Sequence, residues 1–195
     1  MNTITHISYW ATPMWYVDLP DLKNQQASFI SCIHDLRYKH PSRTKSNRGG
    51  WQSPLIKPQS GPLKSLVDEI LKISTNLDLN ISESALSQMW VNVNKKGDYN
   101  FIHQHSSKYD LSSIYYVKTP ENCGRLIFRD PRPAAMGVPL LNFNYDKGEL
   151  QFVNPVEGRL FIFPTFLDHM VEPSESDEER ISISADITST WKSFE

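Results

Sequence analysis

Cysteine is scarce in this chain of 195 residues, with only Cys32 and Cys123 present. The two lie in unrelated contexts and form no CxxC or zinc-knuckle spacing. That excludes a disulfide framework and a cysteine-held structural zinc, and it fits free thiols in a reducing compartment. Long apolar runs are missing too. None approaches membrane-spanning length, and the first residues lack a basic segment followed by an apolar one, so a cytoplasmic protein without membrane contact is expected. Neither sign of charge dominates. Twenty basic and 22 acidic residues leave a net charge near −2, which argues against general affinity for nucleic acid or anionic surfaces. There is also no internal repeat, no low-complexity tract, and no Ser/His/Asp or paired-carboxylate signature of hydrolytic chemistry.

At 22.5 kDa the chain suits a single domain over 1–195 with one core and one site. An aromatic-rich stretch over 4–18 reads as an edge strand interrupted by Pro13. Leu22, Phe29, Ile30, Ile33 and Leu36 recur at helical spacing behind a capping Asp21, predicting a helix over about 22–37. Leu63, Leu66, Ile70, Leu71 and Ile73 predict a second over 63–79. Between them, 39–62 is rich in proline and glycine and contains Ser46-Asn-Arg-Gly-Gly-Trp-Gln-Ser53, the composition of a functional loop or lid. From about 84 the pattern changes to short strands at 88–94, 112–118, 124–129, 149–153, 158–163 and 180–187, separated by Gly-containing turns. The implied fold is mainly β with flanking helices (α+β): a sandwich or barrel core over 84–190, after a strand, two helices and a long loop over 1–80.

Three histidines carry the chemistry. His103 and His105 are one residue apart, and on a strand residues i and i+2 share a face. His169 ends the apolar run that begins at Gly158. Three neutral imidazoles converging from two strands suit a first-row transition metal with open coordination positions, whereas structural zinc needs a fourth protein ligand that this sequence does not offer. Arg180 opens a later strand and is placed to grip a carboxylate bidentately. Its alternative is an exposed pair with Glu175, Asp177, Glu178 or Glu179. Tyr116, if the strand alternation holds, faces the same interior and adds a phenolic hydrogen bond.

The order of these motifs resembles the 2-oxoglutarate and Fe(II)-dependent oxygenase superfamily: HxH, then Tyr115-Tyr-Val117, then Gly124-Arg-Leu-Ile-Phe-Arg-Asp-Pro-Arg132, then Gly158 to His169, then Arg180-Ile-Ser-Ile-Ser184. More narrowly it is similar to a small group of such oxygenases in marine bacteria and their phages, on the strength of Ser46 to Ser53, Trp90-Val-Asn92 and His103 to Ser106. The resemblance implies a double-stranded β-helix (jelly roll, cupin-like) with two N-terminal-half helices packed on one sheet. It implies Fe(II), 2-oxoglutarate and O2 as cofactors, and a hydroxylase that couples decarboxylation of 2-oxoglutarate to succinate with oxidation of a substrate C–H bond. The location implied is the cytoplasm of a bacterium, or of a host if the gene is phage-borne.

Carried over position by position, the resemblance places the metal on His103, His105 and His169 and the distal carboxylate of 2-oxoglutarate on Arg180. Tyr116, Ser182 and Asn92 assist in cosubstrate binding. Most of the superfamily has HxD or HxE where this chain has His105, so the second ligand is either that imidazole or the nearby Asp110. The proline that usually follows the pair is Ser106 here. Trp51, Arg48, Trp90 and Arg129 are candidates for substrate contact, with 39–62 and Pro131 to Asn144 as lids. The substrate itself, a small molecule or a peptide, is not specified, and a homodimer through edge strands or N-terminal helices is left open. Two other readings remain: a cupin-like three-histidine metal enzyme that does not use 2-oxoglutarate, and a β-sandwich binding module without catalysis.

Overall fold

The computed structural model describes residues 11–132 and 150–193, so residues 4–10 of the edge strand expected over 4–18 and most of the expected Pro131 to Asn144 lid lie outside the described residues. The elements run β1 (Trp15–Asp18), α1 (Pro20–Lys23), α2 (Gln26–Lys39), β2 (Asn47–Arg48), β3 (Trp51–Gln52), α3 (Gly61–Thr75), β4 (Ile81–Asn94), β5 (Tyr99–His103), β6 (Leu111–Lys118), β7 (Leu126–Arg129), β8 (Leu150–Val153), β9 (Arg159–Pro164), β10 (His169–Val171) and β11 (Arg180–Trp191). They form two antiparallel sheets, one in the order β1-β9-β6-β11-β4-β3 and the other β2-β5-β10-β7-β8. This is the double-stranded β-helix, with α2 and α3 laid on the outer face of the larger sheet.

Strand alternation explains which side is which. Ile181, Ile183, Ala185 and Ile187 of β11 are buried with Met89, Val91 and Val93 of β4 and with Phe29, Ile33, Leu66 and Ile70 of the helices. Odd positions therefore make the helix-facing core, and even positions must face the other sheet. Arg180, Ser182, Ser184 and Asp186 occupy those positions in β11, opposite Asn94, Asn92, Trp90 and Gln88 of β4. A second, smaller apolar cluster closes the inside of the barrel with Ile114, Tyr116, Leu126, Phe128, Phe163 and Leu167.

Several expectations shift. The first helix breaks into a single turn, α1, and a longer α2, with Gln25 taking non-helical angles between them. The 39–62 stretch is only partly loop, because β2 joins the smaller sheet through Asn100 and Tyr99 and β3 joins the larger through Val93 and Asn92. The chain passes between sheets at Gly49 and Gly50, both at positive φ, and an added Cβ at Gly49 would strike the Asp98 carboxylate. Trp51, expected at the substrate, turns into the core instead: it is 6% exposed and its indole donates to the His40 carbonyl at 3.0 Å. The strands β5 and β10, too short to stand out in the sequence, are the two that bear His103 and His169.

Candidate active site

His103 ends β5 and pairs directly across the sheet with His169, the first residue of β10. His105 lies past the end of β5, so the shared face expected from spacing is supplied differently: its amide donates to the Thr165 carbonyl at 3.0 Å, which pins the turn beside β9. The three rings gather nonetheless. Their centroids are 4.3, 5.0 and 5.4 Å apart, and each ring offers a nitrogen within 4.8 Å of the others. Asp110 is not in this group. Its Oδ2 accepts the Ser189 amide at 2.7 Å, which ties it to the end of β11.

The tautomers follow from what the outer nitrogens touch. Nδ1 of His103 meets the Phe101 carbonyl at 2.7 Å, and Nδ1 of His169 meets the Leu167 carbonyl at 2.9 Å. Carbonyls only accept, so both Nδ1 atoms carry the hydrogen and both Nε2 atoms keep a free lone pair, as metal-ligating histidines do. Nδ1 of His105 meets Asp186 Oδ1 at 2.5 Å and Ser112 Oγ at 2.7 Å. Burial pushes the His169 pKa well down and lowers that of His103, and the neighbouring imidazoles add to both effects. His103 and His169 are thus held neutral, the form that binds a cation.

Deeper in the same cavity stands Arg180, 1% exposed. The acids beside it in sequence are taken by other cations: Asp177 by Lys96 at 2.9 Å, Glu178 by Lys118 at 2.7 Å and Glu179 by Arg37 at 2.7 Å. Among the described residues no carboxylate pairs with Arg180, and its Nε, the Tyr116 hydroxyl and Asn92 Oδ1 are buried without hydrogen-bond partners. The guanidinium lies 5.4 Å from the centre of the fully buried Tyr116 ring. Burial raises the Tyr116 pKa although Arg180 opposes it, which keeps the phenol a hydrogen-bond donor. A buried cation left without a counter-ion is costly, so this corner is chemically prepared for an incoming carboxylate.

The cavity measures about 760 Å³, within the usual range for small-molecule sites. His103, His105, His169, Arg180, Ser182 and Asn92 line it, and so do Trp90 and Arg48 from the expected substrate set. Arg129 does not. It sits at the end of β7, 3.9 Å from Asp168. The outer wall adds Arg43, Lys45 and Phe101, with the Arg48 guanidinium 4.2 Å over the Phe101 ring. Sequence reasoning missed Asp186, Gln88 and Ser112, yet the signal for Asp186 was present: it stands six residues after Arg180 on an alternating strand, hence on the same face.

A jelly roll that gathers three imidazoles and a buried arginine without a carboxylate partner among the described residues in one cavity defines a non-haem metal oxygenase. Residues 88–186, which hold every histidine and strand named above from Gln88 to Asp186, match the profile of the family described as "Putative 2OG-Fe(II) oxygenase", and the chain belongs to that family. Its cofactors are accordingly Fe(II), 2-oxoglutarate and O2. Among solved structures, a Pseudomonas putida prolyl-4-hydroxylase is similar at 19% identity and a TM-score of 0.62, over 91% of this chain and 92% of that one. HygX from Streptomyces hygroscopicus, solved with nickel and 2-oxoglutarate, is similar at 12% identity and a TM-score of 0.66, over 91% and 83%. SnoN, an α-ketoglutarate-dependent epimerase from nogalamycin biosynthesis, is similar at 16% identity and a TM-score of 0.65, over 89% and 76%. At these identities the likeness speaks for the fold. No curated protein matches the sequence. Among the described residues no helix is long and apolar enough to cross a membrane.

Proposed function

We propose that the protein is a 2-oxoglutarate-dependent hydroxylase in which His103, His105 and His169 hold the iron and Arg180 holds the far carboxylate of 2-oxoglutarate. The observation that carries this reading is the pairing of a three-imidazole cluster with a buried arginine that has no carboxylate partner among the described residues, both lining one cavity. When bound, iron and 2-oxoglutarate supply the oxidising chemistry, with succinate and CO2 as the by-products. The chain's own residues do the positioning. Nε2 of each histidine would be the atom to hold the ion, because Nδ1 is tied back. Arg180 forks onto the carboxylate, with Ser182 and Asn92 beside it on the cavity wall. Tyr116 packs under the guanidinium and limits its motion. The apolar cluster around Phe128 and Phe163 borders His169 and keeps bulk water from that side of the ion.

Selection of the substrate falls to the outer wall. Arg43, Lys45 and Arg48 line it, and none pairs with a carboxylate of the described residues. The one carboxylate lining the cavity among the described residues, Asp186, is engaged by His105, Ser112 and Gln88. A cationic entrance over the Phe101 ring suits a small molecule or peptide that bears an acidic group near the position oxidised. The buried arginine weighs against a cupin that ignores 2-oxoglutarate, because such an enzyme would leave that charge without a partner.

Anaerobic titration with Fe(II) and then 2-oxoglutarate tests the reading. The visible charge-transfer band of the chelate should grow to one equivalent, and His169→Ala should abolish it. Absence of the band in the wild-type protein would remove the proposal. Product analysis in the presence of acidic candidate substrates then separates hydroxylation from epimerisation or ring closure.

A further inference from the structure

We propose that Asp186 is a positioning residue for the iron, acting through His105 to supply the negative charge that three neutral imidazoles do not. This rests on the assignment of His103, His105 and His169 as the iron ligands. Asp186 is completely buried, and its two oxygens are committed: Oδ1 to His105 Nδ1 at 2.5 Å and to Ser112 Oγ at 2.7 Å, Oδ2 to Gln88 Nε2 at 2.5 Å. Ser112 Oγ also lies 2.7 Å from His105 Nδ1.

Only one arrangement of hydrogens satisfies this triangle when His105 binds a cation through Nε2. Its Nδ1–H must then donate, to Asp186 and in part to the serine oxygen, so the serine hydrogen is free only for Asp186. The carboxylate collects three donors, two on Oδ1 and one on Oδ2, and it stands behind His105 rather than in the three-histidine cluster. Its charge reaches the ion along the imidazole, as in other carboxylate–histidine–metal relays, where such partners orient the ring and raise its basicity.

The other two histidines have no equivalent. Their Nδ1 atoms rest on backbone carbonyls of Phe101 and Leu167, which orient the rings but bring no charge. The asymmetry singles out His105 as the most electron-rich of the three ligands. Register explains how it is built: Asp186 pairs with Gln88 on one side and Ser112 on the other, so three adjacent strands present the network in one row.

The test is anaerobic Fe(II) titration together with the ferric/ferrous midpoint potential, on the wild type, Asp186→Asn and Gln88→Met. Asp186→Asn keeps the size of the side chain and removes its charge. It should weaken Fe(II) binding roughly 10- to 100-fold and raise the potential, because ferric iron loses more than ferrous iron when the charge goes. Gln88→Met leaves the carboxylate but removes a donor from it, so the potential should fall. Opposite signs distinguish charge compensation from simple loosening of the site, which would weaken binding in both variants with no opposed change of potential. If the wild type fails to bind Fe(II), the iron assignment itself is wrong. If the wild type binds and Asp186→Asn binds within twofold at an unchanged potential, the role of Asp186 is overturned. Should Asp186→Asn not fold, an unchanged potential in Gln88→Met overturns it equally.

Discussion

The two faces of β11 share one backbone and do opposite things. The odd face, Ile181 to Ile187, is buried among the helices and is wholly apolar, whereas the even face, Arg180 to Asp186, is just as buried yet polar at every position. One face is shaped by packing, and its atoms are mutually satisfied. The other carries polar atoms that lack hydrogen-bond partners among the described residues, notably Arg180 Nε with Asn92 Oδ1 and the Tyr116 hydroxyl near it. A strand can thus anchor the fold on one side and hold a deficit of hydrogen bonds and counter-charge on the other, and that deficit is what a ligand is recruited to fill.

The largest effect that could break this contrast is at Arg180. Arg180→Met should weaken 2-oxoglutarate binding by about 3–5 kcal/mol, the usual cost of removing one member of a buried ion pair, which is roughly 100-fold or more in Kd. The same change should leave the ligand-free protein as stable as the wild type or more so, since a buried cation with no counter-ion disappears. Calorimetric titration with 2-oxoglutarate and thermal unfolding of the ligand-free protein measure the two halves separately. A drop in stability equal to the loss of affinity would show that Arg180 is a structural group.

On the apolar face the signs reverse. Ile183, fully buried between Val91 and Tyr115 in register, should cost about 2–5 kcal/mol of folding stability when cut to alanine. Denaturant unfolding would show it, while Fe(II) affinity of the folded protein stays within about twofold. Trp51→Phe should behave likewise on a smaller scale. It loses the 3.0 Å indole bond to the His40 carbonyl, worth roughly 0.5–1.5 kcal/mol, and should leave 2-oxoglutarate turnover unchanged. Turnover that fell as steeply as at Arg180 would return Trp51 to the substrate side.

The unequal legibility of these residues in the sequence has a physical source. Alternation in Arg180-Ile-Ser-Ile-Ser-Ala-Asp186 reads directly as a two-faced strand, and the helical spacing of Leu63 to Ile73 reads as a covering helix, because both patterns are local. The histidines could be gathered by motif order. What the sequence did not reveal depends on register. Trp51 sits among polar and glycine residues and looked like a lid, but Gly49 and Gly50 let the chain step between sheets, and β3 turns the indole inward. Asp110 and Asp186 are both acids that could serve the metal, and only pairing decides between them: Asp110 falls at a strand end on the Ser189 amide, whereas Asp186 falls in a row with Ser112 and Gln88. The strands β5 and β10 are too short to show a period and exist because they pair with each other, β5 also with β2 and β10 also with β7.

The smallest and sharpest test of the contrast is Ser182→Ala. Ser182 sits one pleat above Arg180, 3% exposed, between Asn92 and Tyr116 in register. Its hydroxyl forms no bond that holds the fold together among the described residues, so its removal should change folding stability by less than about 1 kcal/mol, since Ser→Ala takes away one oxygen and opens no sizeable cavity. If the even face is built for the cosubstrate, the KM for 2-oxoglutarate should still rise roughly tenfold or more, the worth of one hydrogen bond to a charged ligand, with kcat little altered because the contact is made equally before and during reaction. A rise in KM without loss of stability keeps the two faces distinct. A loss of stability without a rise in KM would mean that Ser182 belongs to the packing, and that the polar face begins to serve the ligand only at Arg180.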